Sequence, residues 1–248
     1  MGYCSYCKQN KVLIKAHVLP RRFYIKDSSG VYRGIHKDGT YKNWQCGFYD
    51  KEILCSDCDN ILGQYDNEAY KLLLNIDTKK QKTERNGVKA YHYKKEEFDY
   101  DKIRKFFIAL IWRASVSKGG FNGVVNLGRY EDIALEILKG NIENDNLFKV
   151  IVLTEDKPND FTNVHYIMKT RIETQITYAV YFAQFVAYII PNYKKLNSHA
   201  FKIFNELTIS ASDFIIAESS ILADAKRNFL MKTFSKGIKA SRKNNHPI

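Results

Sequence analysis

Two cysteine pairs, Cys4-Ser-Tyr-Cys7 and Cys55-Ser-Asp-Cys58, carry the clearest chemistry in this 248-residue chain. A two-residue gap lets one turn of backbone aim two sulfurs at a single ion, and two such pairs complete a tetrahedral thiolate set of the kind that holds structural zinc. The competing reading is a pair of disulfides, which an oxidising compartment would favour. The N-terminal Met-Gly-Tyr-Cys lacks the basic and then apolar stretch of a secretory signal, so the cysteines are read as reduced and the protein as cytoplasmic. Cys46 is left over and reads as a buried free thiol. The 47 residues between Cys7 and Cys55 are too many for a tight knuckle, so the intervening chain should fold as an insertion bearing a hairpin.

That insertion contains Ala16-His17-Val18-Leu19-Pro20, and Tyr49-Asp50-Lys51-Glu52-Ile53-Leu54 runs directly into the second pair and Asp59. A zinc knuckle, a strand carrying His with two apolar residues and Pro, and an apolar strand leading to a Cys pair that opens a helix resemble the HNH nuclease superfamily. Within it the pattern looks closest to a group of bacterial and phage HNH-like proteins. The resemblance covers about residues 1–75 and implies a ββα-metal, treble-clef-like unit and a metal-dependent endonuclease acting on DNA; a phage or phage-defence setting goes with the alternative of a catalytically silent binding module. Carried over residue by residue, it makes His17 the general base that takes a proton from the attacking water. It makes Asp50 the group that orients the imidazole. It makes Asp59 the ligand of a catalytic Mg²⁺ or Mn²⁺. One departure stands out: the residue before the histidine is usually a second metal ligand, and here it is Ala16. His36, Asp57 and Asp66 are the candidates to replace it. Otherwise the unit is a catalytically silent zinc finger that binds nucleic acid or a protein partner.

Each of these residues also has a bland reading. His17 can be a histidine packed beside the knuckle, and Asp50 and Asp59 can be turn and helix-start carboxylates. Arg21, Arg22 and Lys26 follow the His-Pro segment and would put positive charge where a phosphate backbone approaches. They suit a nuclease and a binder equally.

The formal net charge of +12 favours polyanionic partners, DNA above all, although lysine-rich surfaces also serve solubility alone. Between Lys79 and Lys105 there are ten basic residues against five acidic ones, and Ser235–Ile248 carries four bases and no acid, the pattern of a basic tail. No apolar run reaches the roughly 18 residues of a membrane-spanning helix. Subunit number is not readable from the sequence, and a homo-oligomer is open.

The elements that must position these groups are expected to make an α+β protein. Residues 1–76 form the zinc unit, whose one helix starts near Cys58 and runs through Ile61, Leu62, Tyr65, Ala69 and Leu72 at helical spacing. Residues 77–99 are a charged linker or a hairpin around Asn86-Gly87. Residues 100–235 form a larger α+β region with a mainly antiparallel sheet, and 236–248 the basic tail. In the larger region, Ile103, Phe106, Phe107, Leu110, Ile111 and Ala114 lie on one face of a core helix, and Tyr130–Lys139 is a helix closed by a left-handed Gly140. Phe148–Leu153 reads as a strand and Tyr166–Ile190 as two or three more, rich in Ile, Thr, Tyr, Val and Phe. Phe201–Ser210 reads as an added strand and Ser220–Phe234 as a closing helix.

Overall fold

The computed structural model describes residues 1–26, 30, 32–35, 41–44, 47–74, 76, 83–85, 88–119, 125–155, 164–199 and 201–219. The expected closing helix, the basic tail, His36, Cys46 and the Asn86-Gly87 turn lie outside these residues.

The N-terminal region is built from short pieces. Strands β1 (Gly2–Tyr3) and β2 (Asn10–Lys11) pair as a hairpin, and β3 (Ala16–His17) pairs with β6 (Tyr49–Asp50) in a second two-stranded ribbon. Between the strands of that ribbon come β4 (Tyr32–Ile35) and β5 (Tyr41–Trp44), which pair antiparallel. Helix α1 (Ser56–Leu73) follows, with Cys55 in extended conformation at its N-cap. It buries Cys58, Leu62, Ala69, Leu72 and Leu73, whereas Ile61 is exposed.

The hairpin reading of the charged segment holds for its described part: β7 (Thr83–Arg85) and β8 (Val88–Lys94) pair antiparallel. Helix α2 (Tyr100–Val116) begins where the Asp99 side chain accepts a hydrogen bond from the Lys102 N–H (3.1 Å), satisfying one of the donors that a helix start leaves orphaned. Helix α3 (Tyr130–Lys139) ends at Gly140, whose φ of 81° is the left-handed cap that the sequence predicts. Strands β9 (Leu147–Glu155), β10 (Val164–Ile172), β11 (Gln175–Phe182) and β12 (Phe185–Asn192) follow.

The added strand expected at Phe201–Ser210 is instead the short helix α4 (Phe204–Leu207), with a single bridge from Thr208 to Ile151. The Asn205 carboxamide donates to the Leu196 and Lys202 carbonyls, which fastens this segment as a compact turn. A strand the sequence reading did not mark, β13 (Asp213–Ser219), follows.

The large strands join one mixed sheet in the order β5-β4-β10-β11-β12-β9-β13-β8-β7. Only β4 with β10 and β13 with β9 pair in parallel, so the sheet is mainly antiparallel and the protein is α+β. Because β4 and β5 lie between Cys7 and Cys55, the N-terminal region contributes two strands to the sheet of the larger region. One apolar core accordingly runs from Cys4, Val18 and Phe23 through Phe106 and Trp112 to Phe182 and Ile216. Phe23 sits between Phe106 (ring centroids 5.1 Å) and Phe182 (5.4 Å). Tyr6 meets Trp112 edge to face and donates its hydroxyl to the Leu138 carbonyl of α3 (3.2 Å). A second apolar cluster, with Ile151, Tyr166, Tyr181 and Leu207, covers the other face of the sheet. Among the described residues, no helix is long and apolar enough to cross a membrane.

Candidate metal centre and adjoining site

The first hairpin and the start of α1 bring Cys4, Cys7, Cys55 and Cys58 together, all four sulfurs lying within 4.8 Å of one another. A tetrahedral thiolate site with metal–sulfur bonds of about 2.3 Å needs sulfurs about 3.8 Å apart, so this set fits a zinc ion with small adjustment. Lys8 holds a left-handed φ of 59° at the turn, and its N–H donates to the Cys4 carbonyl (2.9 Å), which folds the first pair back on itself. Two backbone bonds, Ser5 N–H to the Ile53 carbonyl (2.8 Å) and Ile14 N–H to the Leu54 carbonyl (2.9 Å), fasten the hairpin to the segment entering α1.

The surroundings suit thiolates. Burial works against ionising Cys4, but N–H groups of Cys7, Cys55 and Tyr6 outweigh it and bring its pKa down to about 7. One of these donors is visible as the Cys55 N–H bonded to Cys4 Sγ (3.4 Å). Cys58 is pushed up, first by burial and then by its neighbouring thiols, as expected where four sulfurs crowd around one position. A cation in that position reverses this, because a coordinating thiol is held deprotonated. All four positions of a tetrahedral ion would be filled by sulfur, which leaves none open for chemistry.

The β3–β6 ribbon stands beside this cluster. Its register sets Ala16 opposite Asp50 and His17 opposite Tyr49. Successive strand residues point to opposite faces, so His17 shares a face with Tyr49, their rings 6.0 Å apart, while Asp50 points the other way with the buried Ala16. The Asp50 carboxylate, only 6% exposed, is occupied there. Its Oδ2 accepts from Ser117 Oγ (2.7 Å), Lys118 N–H (2.8 Å) and Gly119 N–H (2.9 Å), and its Oδ1 from Glu52 N–H (2.8 Å). Burial alone would raise its pKa, but these four donors hold it below the usual carboxylate range. The expectation that Asp50 orients the imidazole is therefore corrected. Strand alternation turns it away from His17, and it fastens β6 to the end of α2 instead.

Asp59 lies in the first turn of α1 beside the cysteine cluster, its N–H bonded to the Cys55 carbonyl (3.0 Å). Seven residues on, and so on the same helical face, is Asp66. Both Asp66 oxygens accept from Arg113 Nη2 (2.7 and 2.9 Å), and Arg113 Nη1 donates to the His17 carbonyl (3.3 Å). Burial raises the Asp66 pKa, Arg113 opposes the rise, and Asp59 and His17 both lie close enough to act on it electrostatically. His17, Asp59, Asp66 and Arg113 thus form one neighbourhood. Neither Asp66 nor Arg113 was singled out for the site with that partner in view; Arg113 lies 96 residues from His17, and nothing local in the sequence announces the contact.

Of the other candidates for a second metal ligand, Asp57 is engaged by Lys11 (2.8 Å) on the exposed side of the knuckle. Among the described residues, the four cysteines are the only group of three or more His, Cys, Asp or Glu side chains close enough to hold an ion. Arg21 and Arg22 are exposed in the helical turn after Pro20. Arg22 lies over the Tyr70 ring (4.8 Å) and donates to Asn67 (3.2 Å), and exposed Lys26 lies over Tyr32 (5.6 Å). Comparison with protein-family models, with curated proteins and with solved structures finds no match.

Proposed function

We propose that this protein is an HNH-type endonuclease that hydrolyses DNA phosphodiester bonds, with the zinc-bound hairpin, the β3–β6 ribbon and α1 as its ββα-metal, treble-clef-like unit. The observation that carries the reading is the neighbourhood of His17. A partly buried imidazole stands on a short ribbon beside the four-cysteine cluster, with Asp66 of α1 within electrostatic reach of it and Asp59, next to Cys58, within reach of Asp66. In this reading His17 takes the proton of the water that attacks phosphorus, work to which an imidazole is suited. A Mg²⁺ or Mn²⁺ held through Asp59 and the substrate phosphate would neutralise charge on that phosphate. Arg21, Arg22 and Lys26 contact the phosphate backbone, and the zinc is structural.

The second reading, a catalytically silent zinc finger that binds nucleic acid or a protein partner, draws on two observations. Ala16 is apolar and fully buried, and among the described residues no second group of three ligands accompanies the cysteines. The experiment that separates the two is cleavage of plasmid and single-stranded DNA by the full chain and by His17→Ala, with Mg²⁺, with Mn²⁺ and with EDTA. Metal-dependent nicking that disappears in His17→Ala supports the nuclease. No cleavage under any metal, by a protein that retains its zinc, selects the binding module.

A further inference from the structure

We propose that Arg113 and the C-terminal turn of α2 are the positioning elements of the His17 site, so that the larger region of the protein sets the geometry in which the histidine acts. The inference rests on the nuclease reading for its catalytic consequence, and on the contacts alone for its structural one.

A ribbon of two residue pairs cannot hold its own geometry, since even a longer isolated hairpin is marginal in water. Something outside it must. Helix α2 and the three residues that follow it supply two attachments, at Arg113 in its last turn and at Ser117–Gly119 just past its end. At the first, Arg113 links the His17 carbonyl on β3 to the Asp66 carboxylate on α1. Its side chain is 1% exposed, so water has little access to its side of either contact, and its planar fork fixes the directions of both. At the second, Ser117, Lys118 and Gly119 hold Asp50 on β6. Each strand of the ribbon is thus tied to α2 or to the residues that directly follow it, β3 through the His17 carbonyl and β6 through the Asp50 carboxylate. The Gly119 backbone packs closely here: a Cβ added to it would come within 3.0 Å of Phe48, beside β6.

Among the described residues, His17 has the Tyr49 ring beside it on β6, with Lys15 over that ring (5.5 Å), Asp66 on α1 within electrostatic reach, Asp59 acting in turn on Asp66, and Arg113 on its backbone carbonyl. A negative Asp66 favours the protonated imidazole. Asp66 therefore acts on His17 both through Arg113, which it anchors, and directly through charge.

The test uses the full zinc-loaded chain and three variants, Arg113→Lys, Asp66→Asn and Asp66→Glu. Lysine keeps the buried charge but cannot reach both partners as the fork does. Arg113→Lys is expected to keep its zinc and its circular dichroism while kcat falls on the order of tenfold or more at nearly unchanged KM, as misplacement of a catalytic group does. The independent readout is the imidazole proton resonance of His17, identified as the one missing from His17→Ala. Its titration midpoint should move to lower pH in Asp66→Asn and return towards the wild-type value in Asp66→Glu. Wild-type cleavage by Arg113→Lys together with an unmoved His17 titration in Asp66→Asn would overturn the proposal. If the wild-type protein and His17→Ala cleave no DNA, the nuclease reading fails and the resonance decides alone. A His17 signal that shifts in Arg113→Lys and Asp66→Asn upholds the positioning role, and one that stays fixed in both ends it.

Discussion

Replacing Asp50 by asparagine should destabilise the whole protein, because the side chain accepts four hydrogen bonds in a buried position. An amide has a single acceptor oxygen. If that oxygen faces Ser117, Lys118 and Gly119, the NH₂ group meets the Glu52 N–H and strands a donor; the other orientation takes the acceptor from two backbone N–H groups, because only the Ser117 hydroxyl can rotate to accept. A hydrogen bond to an ionised group contributes about 1.5–3 kcal/mol, so losing one and weakening three costs about 3 kcal/mol. For 248 residues, an unfolding entropy of about 2.1 cal/mol/K per residue converts this to a fall in melting temperature of about 6 °C. The effect should depend on pH in a definite direction. The folded-state pKa of Asp50 is depressed, so its contribution is fully present above the unfolded value of about 3.9 and is lost as pH falls through the folded value. Urea unfolding of wild type and Asp50→Asn from pH 7 down to pH 3, with zinc content checked at each point, should give two curves that differ most above about pH 5 and converge at the acid end. A melting temperature within about 2 °C of wild type, or a gap of the same size at pH 3, would refute the assignment of Asp50 as the fastening between β6 and α2. An imidazole-orienting role predicts lost activity with stability intact.

Metal analysis should find one zinc per chain, and Cys55→Ser should lose it with unfolding of at least the N-terminal unit, because binding of the ion to thiolates is folding free energy; a variant with unchanged zinc and melting contradicts the four-cysteine site. Phe23→Ala should cost about 3–5 kcal/mol and shift a single melting transition, since the ring packs on both α2 and β11; a calorimetric trace in which the zinc unit alone melts early contradicts the shared core. Arg22→Ala should lower the slope of log affinity against log salt for a DNA oligonucleotide by about 1, the mark of one lost phosphate contact; an unchanged slope, read by fluorescence anisotropy, removes Arg22 from the interface.

The cysteine spacing alone was enough to mark the four sulfurs that come together, because a two-residue gap is a local constraint that survives any fold built around it. The core face of α2 and the Gly140 cap were equally legible, since helical periodicity and a left-handed glycine are written in consecutive residues. Strands β9 to β12 showed in composition for the same reason. Contacts between distant residues were not legible. Strand alternation points Asp50 away from His17, but only the Ala16–Asp50 register reveals it, and register is set by pairing partners 34 positions apart in the chain. Asn205 turns an apolar segment that reads as a strand into α4 through bonds to Leu196 and Lys202. Arg113 reads as one more basic residue on a core helix until burial leaves the His17 carbonyl and Asp66 as the partners of its Nη1 and Nη2 groups. The sequence by itself determined which residues could do chemistry. Tertiary packing decided which of them face one another, because burial and register depend on the whole chain.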